Sequence, residues 1–401
     1  MEKIKVLFIS FYYPPDFCAG SFRAESVFNA LKDDNRISKF YVYTTFPHRY
    51  GKISDIKNRK QCFKSNILKV KIPQHNGRFI YQILSFLIFA IKIIFVSFKN
   101  KNSFDKIFIT SSRFGTAMLG YFLSIFLNKP LAVDIRDIFS DSLKSLGSEK
   151  SIIINFFSKV IKKIELIILE HAKWKNFVSP GFLDYYPDIN SKKENINLFT
   201  NGIDEIFIKN KLSHVSSVKT YSKSVRVVYA GNIGYGQGLE KIIIPLAISM
   251  NKEINFLIIG DGSSKHEIVN KIKKFNLTNI KILKPLNRNE LISYYNSADC
   301  LFLHLNDIPA FKRVIPSKIF EYATFEKPVL AGVSGTSKKF IKENLNGFYL
   351  FNPNDVRKAK ILMKEIINNY KVIKIDNSKF IQNFERSVIM KKMIDNLISN
   401  L

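Results

Sequence analysis

The chain has 401 residues, of which 62 are Lys or Arg and 33 are Asp or Glu, so its formal net charge is +29. A composition of 46% hydrophobic and 24% charged residues, with 17 Gly and 13 Pro, is that of a folded globular protein. It excludes collagen-like, low-complexity and disordered chains. The three cysteines form no CxxC pair, so we expect neither a disulfide framework nor a structural zinc site, and a reducing cytosol is the expected setting.

A charge this large indicates a polyanionic partner, either nucleic acid or an anionic membrane surface. Within the first half of the chain the excess is concentrated in residues 51–100, where ten basic side chains stand against Asp55 alone. The same window contains the longest apolar run, Phe79 to Phe98, which has about the length of a membrane-spanning helix.

Polar residues within this apolar run favour an amphipathic helix over a membrane span. At about 100° per residue, Gln82, Ser85, Lys92 and Ser97 gather on an arc of roughly 140°. Lys92 near mid-span would also cost about 2.5–3.5 kcal/mol. Two interpretations stay open, a helix packed in the core of an α/β domain and a helix lying in the plane of a membrane. The basic residues that would assist the second are Lys57, Arg59, Lys60, Lys64, Lys69, Lys71 and Arg78.

Short apolar runs alternate with longer helical patterns, which is typical of parallel strands covered by helices on both faces. The strands predicted in the first half are Val6–Ser10, Phe40–Thr44, Lys106–Thr110, Leu131–Asp134, Asn176–Val178 and Asn197–Phe199, with helices near 20–32, 79–98, 114–127 and 151–173. The strands predicted in the second half are Val225–Ala230, Asn255–Ile259, Ile280–Leu283, Cys300–Leu303, Pro328–Ala331 and Phe348–Leu350. The helices predicted between them lie near 237–249, 264–275, 287–296, 316–325, 336–344 and 354–369. Asn287 followed by Glu290 predicts a capping box.

The Ser- and Lys-rich segment 209–224 has no apolar periodicity and is predicted to be a loop. Two βα domains therefore meet near residue 205, and we predict doubly wound domains at 1–204 and 205–379. Such sheets bind ligands at the carboxyl ends of their strands, so two sheets that face each other would form a cleft.

Glycine-rich turns follow several of the predicted strands. Gly20 and Ser21 precede the first helix, where main-chain amides would favour an anion, although a structural glycine fits equally well. The turns 231–238 and 260–262 follow two strands of the second domain. The first of them lacks both the GK[ST] of a P-loop and the GxGxxG spacing. Two turns on one sheet edge nevertheless support each other as a substrate site.

The segment 311–321 combines a helix start with charged side chains. Pro316 suits the first turn of a helix, so the free amides there and the Lys318 ammonium could converge on a phosphate. Glu321 lies three residues after Lys318 on the same helical face and could accept hydrogen bonds from ribose hydroxyls. An i,i+3 ion pair on the surface is the alternative interpretation.

A family resemblance rests on seven stretches that run in order over nearly the whole chain: PPDFCAGSFRAE (14–25), AVDIRDIFSDS (132–142), TNGID (200–204), YAGNIGYGQGLE (229–240), IIGDG (258–262), SADCLF (297–302) and IPSKIFEYATFEKPVL (315–330). The chain resembles the retaining nucleotide-sugar glycosyltransferases of family 4. It is most similar to bacterial enzymes that add N-acetyl-L-fucosamine-type sugars in capsule and O-antigen synthesis. The resemblance implies an α/β GT-B fold, in which two Rossmann-like doubly wound domains face a cleft and the last helix, about 380–401, crosses back to the first domain.

The resemblance also implies roles for individual residues. Gly20 would lie against the donor diphosphate, Glu321 would bind the ribose, and Arg136 and Asp137 would face the transferred sugar or the acceptor. The residues expected to bind substrate are Gly20, Ser21, Asn232, Gln237, Gly260, Gly262, Pro285, Leu286, Arg313, Ser317 and Glu321. Those expected to act in catalysis are Arg136, Asp137 and Lys318. No cofactor and no metal are expected, because there is no DxD-type arrangement of carboxylates.

Two departures from the family pattern concern charge. The family's E-x7-E motif keeps its second glutamate as Glu321, but Arg313 stands where the first is expected. Asn232 and Gln237 stand where an Arg and a Lys usually neutralise the diphosphate. Positive charge would then come from Lys318, Arg313 and Arg136.

The expected reaction is the transfer of a sugar from a UDP-sugar to an undecaprenyl-diphosphate-linked acceptor, with retention, at the cytoplasmic face of an anionic membrane. The leaving phosphate or Asp137 would take the acceptor proton. A UDP-sugar epimerase of the same fold is one alternative, but the six histidines lie mostly outside the matched stretches. A nucleic-acid-binding protein is the other, and it is disfavoured because no nucleic-acid module is recognisable.

Overall fold

The computed structural model describes residues 3–16, 18–46, 66–73, 79–111, 113–146, 151–192, 195–213, 224–369 and 374–401. The chain divides into two compact units, one of Met1–Asn201 with Arg386–Leu401 and one of Gly202–Glu385. The division falls three residues before the predicted domain boundary after residue 204. The segment that returns to the first unit begins at Arg386, six residues after the predicted start at about 380.

In the first unit, parallel strands alternate with helices. In chain order its elements are β1 (Ile4–Ser10), α1 (Ala19–Asp33), β2 (Ile37–Thr45), β3 (Ile67–Val70), α2 (Phe79–Lys99), β4 (Lys106–Ser111), α3 (Phe114–Leu127), β5 (Leu131–Ile135), α4 (Phe139–Leu146), α5 (Ile152–His171), β6 (Trp174–Phe177), α6 (Pro187–Lys192) and β7 (Ile196–Asn197). The described residues form a seven-stranded sheet in the order β3-β2-β1-β4-β5-β6-β7. Strands β1, β4 and β5 are buried on both sides, which explains their continuous apolar runs.

The second unit has the same alternation. Its elements are α7 (Glu205–Ser213), β8 (Val225–Asn232), α8 (Ile243–Ser249), β9 (Ile254–Asp261), α9 (Lys265–Lys274), β10 (Ile280–Leu283), α10 (Arg288–Ser297), β11 (Cys300–His304), α11 (Ser317–Tyr322), β12 (Val329–Gly332), α12 (Gly335–Asn344), β13 (Phe348–Phe351), α13 (Val356–Asn369) and α14 (Ser378–Asn383). Its described strands form a parallel sheet in the order β10-β9-β8-β11-β12-β13. This is the doubly wound order, with β8 as the first strand.

The last helix, α15 (Arg386–Ser399), belongs to the first unit and packs on α1. Helices α2, α3 and α5 pack side by side, α2 on α3 and α3 on α5. The close approach of α2 to α3 depends on Gly115, where a Cβ atom would overlap with the ring of Phe86.

Most predicted elements are confirmed within a few residues, and the differences have local causes. Strand β3 and the short helices α4 and α6 were not predicted, because none of them is long enough to show a period. The loop predicted over 209–224 is wrong at its start, since α7 continues to Ser213; residues 214–223 lie outside the described residues. The capping box of Asn287 and Glu290 is confirmed at the start of α10.

Helix α2 turns the two serines of its polar stripe inward, whereas Gln82 is partly buried and Lys92 is exposed. Ser85 and Ser97 are fully buried, and the Ser85 hydroxyl donates a hydrogen bond to the carbonyl of Pro73. Phe89 and Ile93 are buried beside them. Apart from the exposed Lys92 and Lys99, the outward side of the helix is therefore apolar, the reverse of an ordinary surface helix. Judged by length and composition alone, the helical segment Tyr81–Lys99 is long and apolar enough to cross a membrane.

The basic residues predicted to assist α2 at a membrane can be placed only in part. Lys69 lies in β3 and Lys71 directly follows it. Lys57, Arg59, Lys60, Lys64 and Arg78 lie outside the described residues.

Candidate functional site

The carboxyl-terminal edge of the second sheet is formed by glycines at the ends of β8 and β9. Gly231 and Gly260 pair in register, both with φ near 150°, a region in which glycine is favoured. A Cβ atom on Gly260 would overlap with the carbonyl oxygen of Gly231, and one on Gly262 would overlap with that of Ile233. These glycines let main-chain segments at the ends of β8 and β9 pack directly on one another, so the glycine positions leave the main chain bare of side chains of its own.

Lys318 lies across this bare main chain. Its Nζ sits so close to the α-carbon of Gly231 that a Cβ atom there would overlap with it, and it lies 5.7 Å from the ring centre of Tyr229. Burial lowers the pKa of Lys318, and the nearby carboxylate of Glu321 opposes this shift. An anion bound at the ammonium would restore the pKa. Lys318 is therefore a cation whose surroundings favour a negatively charged ligand.

Glu321 is half-buried one turn after Lys318 in α11. Its Oε2 lies 3.5 Å from the hydroxyl of the buried Tyr295, which donates to it. Burial, together with the nearby Tyr322 and Glu321, raises the pKa of Tyr295 well above its ordinary value, so the hydroxyl stays a donor. Among the described residues Lys318 and Glu321 form no salt bridge, so the surface ion-pair interpretation does not hold.

Asn232 and Gln237 bond to each other in the loop after β8. The Nδ2 of Asn232 donates to the Oε1 of Gln237 over 2.8 Å, and the amide of Gly234 donates to the same oxygen over 3.2 Å. The two side chains that stand in place of the family's Arg and Lys thus fix the shape of the glycine loop. Their contact with a substrate stays a prediction.

Four other predicted residues lie further along the chain of the second unit. Pro285 and Leu286 follow β10, with Pro285 exposed and Leu286 packed against the core. Arg313 donates to the carbonyl of Pro309 over 3.1 Å. Ser317 is the first residue of α11, and Pro316 is its N-cap rather than a residue of its first turn. Their roles toward a substrate stay predictions.

His304, at the end of β11, was missed by the sequence reasoning. It lies 2.6 Å through Nδ1 from the carbonyl oxygen of Gln237, while Nε2 accepts from the amide of Asn354 over 3.1 Å. These partners require a neutral ring with its proton on Nδ1. Burial lowers the pKa of His304 to about 4. The neutral His304 ring thus holds the glycine loop in place through hydrogen bonds. In the sequence, its position at the end of a predicted strand could have indicated a residue at the substrate edge.

The carboxyl-terminal edge of the first sheet carries the loop between β5 and α4. The Nε and Nη1 atoms of Arg136 are buried and have no hydrogen-bond partner among the described residues. Burial, and then repulsion by Arg23, lower the pKa of the Arg136 guanidinium. Asp137 beside it is exposed and lines a small apolar pocket with Phe114, Phe139 and Ile168. The loop therefore offers buried, unsatisfied N–H donors next to an accessible carboxylate.

A buried ion pair underlies this loop. Arg23 of α1 binds Asp134 of β5 through two hydrogen bonds of 2.7 and 2.8 Å, and Thr110 and Asn176 donate to the same carboxylate. Burial opposes the charge of Asp134, but Arg23 and these donors hold its pKa below the ordinary value. Arg23 also donates to the carbonyl of Thr200 over 2.8 Å. The pair ties α1 and the end of the first unit to the sheet.

Glu165 of α5 holds the other end of the loop. Its carboxylate accepts from the amides of Phe139 and Ser140 and from the Ser140 hydroxyl, so it caps the start of α4. Burial raises the pKa of Glu165.

Gly20 and Ser21, predicted to precede the first helix, lie within the first turn of α1, which begins at Ala19. The Ser21 hydroxyl is buried without a hydrogen-bond partner among the described residues.

Residues 211–386 of the chain match the protein family described as glycosyl transferases group 1. This match covers most of the second unit, including Lys318, Glu321 and the glycine turns. No characterised protein with a curated description is significantly similar in sequence over the chain.

Several solved structures resemble the whole chain. One is Alr3699/HepE of Anabaena in complex with UDP-glucose, with 15% identity, 99% of this chain and 100% of that chain covered, and a TM-score of 0.70. Another is sucrose-phosphate synthase of Thermosynechococcus elongatus, with 13% identity, 99% of each chain covered and a TM-score of 0.72. The lipopolysaccharide outer core galactosyltransferase WaaB is similar at 13% identity, 99% and 100% coverage and a TM-score of 0.64. The chain therefore has the GT-B fold, with two Rossmann-like parallel-sheet domains.

Proposed function

We propose that the protein is a retaining glycosyltransferase that uses a UDP-sugar as its donor. The match of the second unit to glycosyl transferases group 1, together with the GT-B fold, supports a nucleotide-sugar glycosyltransferase. The observation that carries the proposal is the edge of the second sheet, where bare glycine main chain, the Lys318 ammonium and the Glu321 carboxylate come together. UDP is the favoured nucleotide because Alr3699/HepE was solved with UDP-glucose.

At this edge, Lys318 and the glycine turns bind the donor diphosphate, and Glu321 binds the ribose. The bond between the anomeric carbon and the diphosphate oxygen breaks, and the acceptor hydroxyl oxygen bonds to that carbon from the same face. The acceptor proton passes to the leaving phosphate oxygen or to Asp137. Negative charge grows on the diphosphate as the bond breaks, so placed cations give the largest stabilisation.

Arg136 and Asp137 are assigned to the acceptor. The unsatisfied Nε and Nη1 donors of Arg136 suit a phosphate, and Asp137 is the exposed carboxylate beside them. We propose a lipid-linked saccharide as the acceptor, reached from the cytoplasmic face of the membrane. An N-acetylated deoxyhexose such as N-acetyl-L-fucosamine is the proposed donor sugar, in capsule or O-antigen synthesis. We also propose that Gly20 and Ser21 contact the donor diphosphate.

The epimerase alternative has less support. It requires a histidine and carboxylates that exchange protons with the substrate. Among the described residues, the histidine that lies at the edge of the second sheet is His304, and both of its ring nitrogens are engaged by the main chain.

The proposal is tested by incubating the protein with a panel of UDP-sugars and a bacterial membrane extract and measuring the mass of the lipid-linked product. We expect one donor to add its sugar mass, and we expect excess EDTA to leave the rate unchanged, because no metal is proposed at this site. Formation of a different UDP-sugar without transfer would instead identify an epimerase.

A further inference from the structure

Three neighbouring helices of the first unit expose large apolar side chains on their outward sides. We call these side chains the apolar face. They are Tyr81, Ile83, Leu84, Leu87, Ile91, Phe95 and Phe98 of α2, Met118, Ile125 and Phe126 of α3, and Ile152, Ile153, Phe156, Phe157, Val160 and Ile167 of α5. Several are largely exposed, with Ile152 at 84%, Ile91 at 67% and Phe95 at 65%. In the described part of the second unit, exposed apolar residues are fewer and lie on separate elements, for example Ile248, Phe275 and Ile361.

The pattern on α5 is apolar on two opposite sides. One side, with Glu165, Ile168 and Leu169, is buried in the domain. At about 100° per residue, the exposed apolar residues of α5 occupy an arc of roughly 140° on the opposite side. Packing within the domain explains the first side only. The second needs an apolar environment outside the domain, because a soluble helix normally carries polar residues there.

The pattern on α2 leads to the same conclusion. Its inward side is anchored by Phe89 and Ile93, and the ring of Phe89 packs edge-on against Phe11 at 5.2 Å. A helix rooted in the core in this way cannot cross a bilayer without dismantling the domain. It would instead lie in the plane of the membrane, with its outward apolar side in the lipid.

The exposed charges around the apolar face are mainly positive, with Glu170 near the end of α5 as the exposed acidic residue among the three helices. Neither α2 nor α3 contains an acidic residue. Lys92 and Lys99 of α2 and Lys159 and Lys163 of α5 are exposed, whereas Glu165 is buried within the domain. This charge complements anionic lipid. It disfavours a second copy of the chain as the occupant, because two identical faces would bring like charges together.

We propose that the apolar face of the first unit docks in the plane of an anionic phospholipid bilayer. The inference rests on exposure and charge and does not require the proposed function. Helix α3 begins after the end of β4, so one end of the face lies at the sheet edge that carries Arg136 and Asp137. If the acceptor is lipid-linked, as proposed above, docking would bring its head group to that edge.

The full-length protein is tested by flotation with vesicles of phosphatidylcholine containing about 30% phosphatidylglycerol, against phosphatidylcholine alone. The disrupting variant combines Ile91→Gln, Phe95→Gln and Phe156→Gln. The matched control combines Ile248→Gln, Phe275→Gln and Ile361→Gln, which remove comparable exposed apolar side chains from the second unit. We expect the wild type and the control to float with anionic vesicles, and the disrupting variant to lose at least about tenfold in vesicle affinity.

Equal flotation of the disrupting variant, or no flotation of the wild type at low salt, would overturn the proposal. A dimer in sedimentation equilibrium that the disrupting variant abolishes, without any vesicle binding, would assign the face to a second copy instead. Thermal unfolding shows whether the variant is folded. UDP binding, measured by calorimetry on the same samples, separates a failure of docking from a failure of the donor site.

Discussion

The two sheets carry different kinds of chemistry at the carboxyl ends of their strands. In the second unit the edge is mostly main chain, since Gly231, Gly260 and Gly262 leave it bare and only a few side chains lie across it. In the first unit the edge is built by long side chains, with Arg23 and Asp134 locked together and Arg136 left with unsatisfied donors. A main-chain edge is suited to the proposed donor nucleotide. An edge built from side chains, with unsatisfied donors on Arg136, is suited to a negatively charged group of the proposed acceptor.

The buried ion pair gives the largest expected effect. Asp134→Ala leaves the Arg23 guanidinium buried without its partner, which should destabilise the first unit by about 3–5 kcal/mol. Denaturant unfolding followed by the fluorescence of Trp174, which lies in this unit, measures the loss. Asp33→Ala, at an exposed carboxylate of α1, is the control and should change stability little. A loss below about 1 kcal/mol in Asp134→Ala would mean that the pair does not hold this edge together.

The main-chain edge is tested by adding a single methyl group. Gly260→Ala forces a Cβ atom onto the carbonyl of Gly231 at a positive φ, which should cost about 3 kcal/mol and abolish measurable UDP binding. Ser263→Ala is the matched control, because it changes an exposed side chain in the turn directly after Gly262. Similar behaviour of the two variants would show that close main-chain approach is unimportant.

Acid should lower the folding stability of the second unit through the titration of His304. Its pKa is about 4 in the folded protein against an ordinary 6.5, so the unfolded chain takes up the proton first as the pH falls. The stability that neutral His304 contributes is present above about pH 6.5, and about 2 kcal/mol of it should be lost by pH 5. Thermal melts across this range measure the loss. In His304→Gln this part of the pH dependence should disappear, and an unchanged profile would contradict the assignment.

The smallest effect concerns ribose recognition. If Glu321 accepts hydrogen bonds from the ribose hydroxyls, the wild type should bind UDP about tenfold more tightly than 2′-deoxy-UDP. Glu321→Gln should reduce this preference. Lys318→Met should weaken the binding of both nucleotides to a similar extent, so the preference for UDP should remain. Calorimetric titration of the two nucleotides against the three proteins measures the difference. Equal preference in the wild type and Glu321→Gln would remove the ribose from Glu321.

The difference between the edges also decides what the sequence could predict. The glycine turns, the capping box of Asn287 and the positions of most strands along the chain were predicted correctly, because each depends on residues close together in the chain. The Arg23–Asp134 pair joins residues 111 apart, and no local pattern connects them. His304 was missed because its partners, the carbonyl of Gln237 and the amide of Asn354, are main-chain groups from distant loops.

Helix α2 shows a further limit of periodicity. The polar stripe of Ser85 and Ser97 was visible in the sequence, but a stripe does not say which side of a helix faces the protein. Here the small hydroxyls fit inside the domain and the large apolar residues point outward. Only the packing of α2 on α3 and on the sheet reveals this orientation.

The glycine edge of the second sheet, with Lys318 across it, is the proposed site of the donor diphosphate. The most direct measurement is transfer of sugar from a radiolabelled UDP-sugar to membrane lipid by the wild type and by Lys318→Met, with Lys312→Met as an exposed control. We expect a loss of at least about a hundredfold in Lys318→Met and an unchanged rate in the control. Full activity of Lys318→Met, or no transfer by the wild type from any UDP-sugar, would contradict the account.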